Sequence, residues 1–458
     1  MNTANAFNRP ARGGPVQLFY QNPNEARRPL IDKGEGIYLW DTSGKRYIDA
    51  SSGPIAVNLG HGNTRVMEAA IRQMEKVSYA SRFFFENESN IKLANLITEH
   101  AGPGLERAFF VSGGSEANES ALKLARQYAV ASGQESRWKV ISRNPSYHGA
   151  TLGAVAISGD MISERMYKPM LQAMPKVSAP FTFRLPMGHS VESYAKACAD
   201  ELEEVILREG AESVLAFILE PVGGLATGAL VSDQAYYEHI RKICTQYGVL
   251  LIYDEVMSGV GRTGAFLAAH HWENAAPDMV TLAKGLASGY TPLGAVLASR
   301  EMVDTIANAG GFMHGYTYSS NPLSCAVGMA AVSEMLENKL DENARVMGAR
   351  MYNRLLEVQK RRRLLGDIRG KGLLMAIEIV SDPEKKAIFP ADFQAIPKLV
   401  ALAMERGLLL YARRTAGGKF GEWLMLAPPL IVNAEQVDNI IDILDETLRV
   451  FELMVEAG

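Results

Sequence analysis

Short apolar runs recur along the chain, each followed by glycine or polar residues and then by a stretch of helical spacing. Residues 108–111, 214–219, 249–253 and 280–283 are the clearest of these runs. Continuous apolar runs interleaved with helices predict parallel strands covered on both faces, an α/β architecture. Residues 116–131 carry Ala117, Ala121, Leu124, Ala125 and Tyr128 on one helical face. A second helix is predicted over 236–247. A third spans 435–455, where Val437, Ile440, Ile441, Leu444 and Leu448 recur. The basic run 360–363 reads as a solvated helix face or end rather than an anion site. Near the start, residues 36–41 and 45–49 flank Thr42-Ser43-Gly44 and predict a hairpin. We expect a large domain over 63–325. A smaller α+β domain would be built from both chain ends, 1–62 and 326–458.

Composition adds limits. The chain has 458 residues, long enough to bury a full core without covalent staples. Lys and Arg number 47 against 51 Asp and Glu, a net charge of −4, so no bulk electrostatic footprint for nucleic acid exists. Cys198, Cys244 and Cys325 lie far apart and signal neither a disulfide framework nor a zinc knuckle. Free thiols suit a reducing compartment. The first 29 residues are rich in Asn, Arg and Pro and lack the apolar run of a signal peptide. No stretch has the length of a charge-free membrane span. The cytoplasm is the expected location.

In open parallel sheets, ligands sit outside the carboxyl ends of the strands. The residues just after each apolar run are therefore the ones placed to carry chemistry. After Val111 come Ser112-Gly113-Gly114-Ser115-Glu116 and then a helix. Glycines there let backbone N–H groups approach an anion, and the helix dipole favours it. A plain capped turn is the competing reading. Leu219 leads into Glu220-Pro221, Tyr253 into Asp254-Glu255, and Ala283 into Lys284-Gly285. Singly, each is an ordinary solvated charge. Together they place two acids and a lysine on the rim of an anion seat. A lysine between apolar walls shifts its pKa and forms Schiff bases. A carboxylate facing it can hold a pyridinium nitrogen protonated. These are the parts that pyridoxal phosphate requires.

Other chemistries find less support. Gly259-Val260-Gly261-Arg262-Thr263-Gly264 matches a dinucleotide fingerprint literally, with Asp278 near the distance of a ribose acid. That fingerprint wants a helix at once and the acid after the next strand, whereas Asp278 precedes it. No metal site is expected. The eight histidines show no His-Glu-x-x-His, and His270-His271 would diverge on a helix. A serine hydrolase elbow is absent.

The motifs in their order resemble the class III pyridoxal-phosphate aminotransferases, or ω-transaminases, over nearly the whole chain from about Gly34. The resemblance is carried by 111–117 (Val-Ser-Gly-Gly-Ser-Glu-Ala), Ser146-Tyr147-His148-Gly149, Glu220-Pro221-Val222 and Asp254-Glu255-Val256. The glycine turn 259–264, read on this basis as a turn beside the cofactor, Leu282-Ala283-Lys284-Gly285, His314-Gly315-Tyr316-Thr317-Tyr318 and Arg369-Gly370-x-Gly372-Leu373 complete it. It implies a fold type I transferase: a large, mainly parallel sheet domain, a smaller α+β domain, and a homodimer with the active site at the interface. Carried over, Lys284 forms the Schiff base and moves protons, Asp254 pairs with the pyridine nitrogen, and Glu220 joins the network near ring hydroxyl and substrate. Gly114 and Ser115 hold the phosphate, Tyr147 and Val256 flank the ring, and Thr317 reaches the phosphate of the neighbouring subunit.

The family pattern is altered at two places. Where many amine–pyruvate members carry a Leu-Trp-Cys-like stretch, this chain has Ser51-Ser52-Gly53-Pro54-Ile55, which puts Ser52 in a widened substrate pocket. The arginine that reads a substrate carboxylate is displaced. Arg413 and Arg414 are the candidates, with Gly417 and Gly418 loosening the loop that carries them. Tyr20, Phe83, Phe84 and Phe85 are equally readable as pocket wall or core. The implied reaction moves an amino group from an amine or ω-amino acid to a keto acid, pyruvate or 2-oxoglutarate, in two half reactions. A decarboxylase or racemase on the same fold is the alternative, and a nucleotide-binding dehydrogenase or a non-catalytic module is the reading from another class.

Overall fold

The apolar runs become the strands of one central sheet in the computed structural model, which describes residues 28–160 and 165–457. In chain order the strands are β1 (Ile31–Glu35), β2 (Tyr38–Asp41), β3 (Arg46–Asp49), β4 (Arg107–Val111), β5 (Lys139–Asn144), β6 (Lys176–Ser178) and β7 (Val214–Leu219). Then come β8 (Leu250–Asp254), β9 (Met279–Leu282), β10 (Gly294–Ala298), β11 (Leu365–Lys371), β12 (Leu374–Ile379), β13 (Leu408–Leu409), β14 (Tyr411–Thr415) and β15 (Gly421–Leu426). The central sheet runs β4-β10-β9-β8-β7-β5-β6. All pairs are parallel except those of β10, which runs against β4 and β9. All six residues of β7 and all five of β10 are buried, as strands covered on both faces demand.

Local signals explain the helix boundaries. Gln234–Tyr247 starts where the Asp233 carboxylate accepts the Tyr236 N–H, and stops at Gly248, whose φ of 63° suits a left-handed C-terminal residue. The last helix, Ala434–Ala457, opens with reciprocal bonds between Asn433 and Gln436 and buries the predicted apolar stripe. The helix after β4 spans Gly114–Ala131, two residues longer than the periodicity predicts. Extended Gly113 takes the cap position, so Gly114 and Ser115 enter the first turn despite weak intrinsic preference.

Two smaller sheets come from the chain ends. The predicted hairpin forms with Leu39 opposite Tyr47, and it is completed by β13 lying parallel to β3 (Leu408 beside Ile48). The other sheet is β11-β12-β15-β14. The basic run 360–363 departs from a merely solvated face. Arg361 and Arg362 both pair with Asp445, and Arg363 pairs with Glu456, all on the last helix. The pattern of one helix does not reveal acids spaced along another.

The glycine turn 259–264 also differs from expectation. Its glycines do not line the ligand cavity. Buried Arg262 instead donates to the carbonyls of Leu373 and Pro428 and to Asn58 Oδ1. The turn is a joint between the central sheet and both chain ends. Asp278 accepts the Leu251 N–H at the start of β8 and pairs with Arg241, at the sheet edge opposite the rim where ligands sit. It is no ribose acid.

Candidate active site

The carboxyl ends of β4, β7, β8 and β9 share one edge of the sheet. A cavity of about 670 Å³ opens there, walled by residues that immediately succeed these strands. Lys284, Asp254, Glu220, Gly114, Ser115, Tyr147, Val256 and Arg413 all line it. Thr317, Arg414 and Ser52 do not.

Asp254 ends β8, buried, with both oxygens engaged. Oδ1 accepts the Val256 N–H at 3.0 Å; Oδ2 accepts Asn118 Nδ2 at 2.8 Å and lies 2.7 Å from His148 Nδ1. Asn118 is itself fixed, donating to the His148 carbonyl at 2.6 Å and accepting from Thr281 Oγ1 at 2.9 Å. This buried cluster holds one carboxylate in one orientation, facing the lysine. The sequence left a faint trace of it. Thr281 is the polar residue of an apolar run, and Asn118 sits one helical turn beyond Gly114, beside Ala117.

Lys284 comes after β9, and its Nζ donates to the Pro54 carbonyl at 2.7 Å. Burial between cavity walls lowers its pKa to about 8, against the opposing pull of Asp254 and Glu220. Its φ of 45° is a left-handed conformation for a non-glycine residue, held by the surrounding turn 283–287. Glu220 is buried, and burial raises its pKa. Its oxygens accept the Gly224 N–H at 3.0 Å and the Tyr147 N–H at 3.4 Å.

The anion seat is open at the helix N-terminus. The cap is Gly113, so no side chain takes the first-turn N–H groups. A Cβ on Gly114 would come 2.8 Å from Val256 Cγ1. Glycine therefore keeps the approach clear. Ser115 Oγ accepts the Ala150 N–H at 3.0 Å, which ties the Tyr147 loop to the seat. Helix N-terminus, deprotonatable lysine and fixed carboxylate, spaced around one cavity, fit pyridoxal phosphate.

Three expectations are corrected. Ser52 is fully buried, donates to the Ala427 carbonyl at 2.6 Å and faces Arg262; Pro54 and Ala56 of that segment line the cavity instead. Arg414 points away from it because consecutive strand residues alternate. It is bound to Glu422 and the Phe389 and Gly417 carbonyls, so the glycine loop is tied down rather than loose. Thr317, expected to serve a neighbouring subunit, is not among these corrections: it is exposed on its own chain, and its carbonyl accepts from Tyr79. Phe83, Phe84 and Phe85 are neither core nor wall within one subunit, being 79%, 80% and 65% exposed. Tyr20 lies outside the described residues. Among the described residues no group of three His, Cys, Asp or Glu is placed to hold a metal.

A mainly parallel sheet with this grouping on its carboxyl edge defines a pyridoxal-phosphate-dependent transferase of fold type I. The model of the aminotransferase class-III family matches residues 20–448, and the chain belongs to that family. It is 37% identical to the uncharacterized aminotransferase YodT of Bacillus subtilis, over 93% of this chain and 96% of that one. It is 32% identical to the putrescine–pyruvate aminotransferase of Pseudomonas aeruginosa, over 94% of each chain. The structure of the omega transaminase of Pseudomonas jessenii in complex with PMP superposes with a TM-score of 0.90 at 33% identity, covering 96% of this chain and 97% of the other. The protein is an aminotransferase that uses pyridoxal phosphate to pass an amino group between an amine and a keto acid.

Proposed function

We propose that the acceptor is a small monocarboxylic keto acid of the pyruvate class and the donor a primary amine or ω-amino acid. The observation that carries this is Arg413, the only arginine among the described residues of the cavity wall. Its planar fork suits one carboxylate. A dicarboxylic acceptor such as 2-oxoglutarate would need a second cation, and the wall's lysine is reserved for chemistry. A donor panel run against pyruvate and 2-oxoglutarate tests the reading. A clear preference for 2-oxoglutarate, or loss of carbon dioxide or racemisation without any acceptor, would overturn it.

When bound, the cofactor supplies an electron sink for the charge that develops at the amine-bearing carbon. The chain's part is to bind, orient and move protons. First-turn N–H groups of Gly114–Ala131 would hold the phosphate. Tyr147 and Val256, both in the cavity wall, would confine the ring. The Asp254 carboxylate, its aim fixed by Asn118 and His148, would pair with the ring nitrogen. Lys284, neutral above about pH 8, would hold the cofactor covalently and carry the proton off the substrate carbon. Glu220, raised by burial, orders the Tyr147 loop and the substrate's polar end.

Arg413→Ala should raise the KM for pyruvate about tenfold or more, the loss of a charge-assisted contact, while sparing the half reaction with plain amines. Arg414→Ala should leave keto-acid kinetics unchanged. Equal effects from both substitutions would contradict the assignment.

We also propose a homodimer, with the chain divided at about 62 and 325 into a large and a small domain and Thr317 serving the partner's phosphate. The exposed Phe83–Phe84–Phe85 run, Met313 and Tyr318 support it, as an apolar surface that a second copy would cover. The pairing of β3 with β13 supports a small domain built from both ends. Mixing Lys284→Ala with Thr317→Ala subunits should restore partial activity, because one site type then carries neither defect. A fully active monomer by light scattering would refute the dimer. The three unpaired, buried cysteines support a cytoplasmic location, which cell fractionation checks. Among the described residues no helix is long and apolar enough to cross a membrane.

A further inference from the structure

Arg413 enters the cavity wall from β14, a strand of the small sheet, yet it is ion-paired with a residue 253 positions away. Arg413 Nη2 donates to Asp160 Oδ1 at 2.7 Å. The two side chains are 17% and 9% exposed, so this is a largely desolvated pair. Asp160 comes shortly after the short helix Leu152–Ala156, on the same stretch of chain as Tyr147. Arg413 lines the cavity and Asp160 does not. The acid therefore grips the guanidinium from behind and by one nitrogen.

This arrangement leaves the rest of the fork for the cavity. A guanidinium has five N–H donors in a plane, and one held nitrogen restricts where the head lies while leaving the other donors unclaimed. Arg414, its neighbour on the opposite face, shows the contrast: three acceptors engage its Nε and Nη1, which locks the fork away from the cavity. A long side chain on a strand without such an anchor samples many rotamers, and each is a different carboxylate position. Asp160 also joins the two halves of the pocket, since Tyr147 and Tyr411 flank the pair from the central sheet and the small sheet.

Resting on the reading of Arg413 given above, we propose that Asp160 is a specificity-determining positioning residue: it aims Arg413 so that the acceptor's carboxylate is read at one place in the cavity. It touches no reacting atom. Its effect on specificity passes through the arginine, and so it falls on carboxylate-bearing substrates.

The test is a coupled set of variants in the holoenzyme. Asp160→Asn should raise the KM for pyruvate about tenfold and change kcat less than about twofold. The single-turnover half reaction with a plain amine, and turnover with an aldehyde acceptor that lacks a carboxylate, should stay within about twofold of wild type. Asp160→Glu should recover part of the pyruvate affinity. In an Arg413→Ala background, Asp160→Asn should add nothing further. If Arg413→Ala raises the pyruvate KM but Asp160→Asn does not, the positioning role fails and the arginine's role survives. If Arg413→Ala itself has no effect, the underlying reading fails and this one with it. A fall in pyruvate KM in Asp160→Asn would mean that the acid competes with substrate for the arginine, which overturns the proposal. Parallel loss of the pyruvate, amine and aldehyde reactions would mark a general structural role and overturn it as well.

Discussion

Lys284→Ala should lose transamination by about four orders of magnitude or more, the scale of removing the sole proton-transfer group at the reacting carbon. The motivating geometry is a lysine at the end of β9 whose amine enters the same cavity as Asp254 and the helix N-terminus. Cofactor binding should persist in weakened form, because the phosphate seat at Gly114 is built from backbone groups that the substitution leaves alone. Equilibrium dialysis separates the two effects. In the wild type, borohydride reduction and peptide mapping should place the pyridoxyl group on Lys284; a label on another lysine would sink the assignment. The titration of the amine gives a second handle. Burial lowers its pKa to about 8, so the proton leaves well below the pH of about 10.4 typical of lysine. In protein freed of cofactor, acylation of Lys284 should therefore be slow below pH 8 and level off above it, because only the neutral amine attacks. A midpoint near 10 would show that the walls do not desolvate it.

Asp254→Asn should retain cofactor and transaminate about a hundredfold more slowly or worse, or about 3 kcal/mol in the barrier. Two physical effects act together. The amide carries no charge, so it cannot favour a protonated ring nitrogen, and the electron sink weakens. The amide also misfits its neighbours. Val256 N donates to one carboxylate oxygen and Asn118 Nδ2 to the other. Either orientation of an asparagine sets an NH2 group against a donor. Steady-state rates with pyruvate and the absorbance of the bound cofactor measure the loss. Near-normal turnover would contradict the role. Asn118→Ala, which removes one of the two contacts to Oδ2 but keeps the carboxylate, should cost far less, about tenfold.

The cavity rim was legible because it obeys a rule of parallel sheets: residues immediately after an apolar run sit at the carboxyl edge of the sheet. Lys284, Asp254 and Glu220 each obey it, as does the Gly113–Gly114 turn. The second row was not legible. Asn118 and Thr281 face inward from a helix and a strand whose register fixes them, and Asp160 lies 253 residues from the arginine it grips. Local periodicity cannot report a hydrogen bond between elements that meet only after folding. The glycine turn 259–264, expected beside the cofactor, departs for the same reason. None of its residues lines the cavity, and Arg262 is consumed by carbonyls from Leu373 and Pro428.

Strand and helix identity, sheet class and the residues that gather at the cavity rim were thus determined by sequence, since burial pattern and strand-end position are local properties. Which of two adjacent arginines faces the cavity was decided by the tertiary structure. Arg413 and Arg414 are chemically alike, but β14 pairs with β15 in a register that sets Arg413 opposite Trp423 and Arg414 opposite Glu422. Alternation then turns one side chain to the cavity and the other away from it. Long-range contacts also took Ser52 out of the pocket and left three phenylalanines outside the core. A hydroxyl seated on the Ala427 carbonyl has no freedom to meet substrate. The spacing of three aromatics does not report whether the loop that carries them lies under the core or outside it.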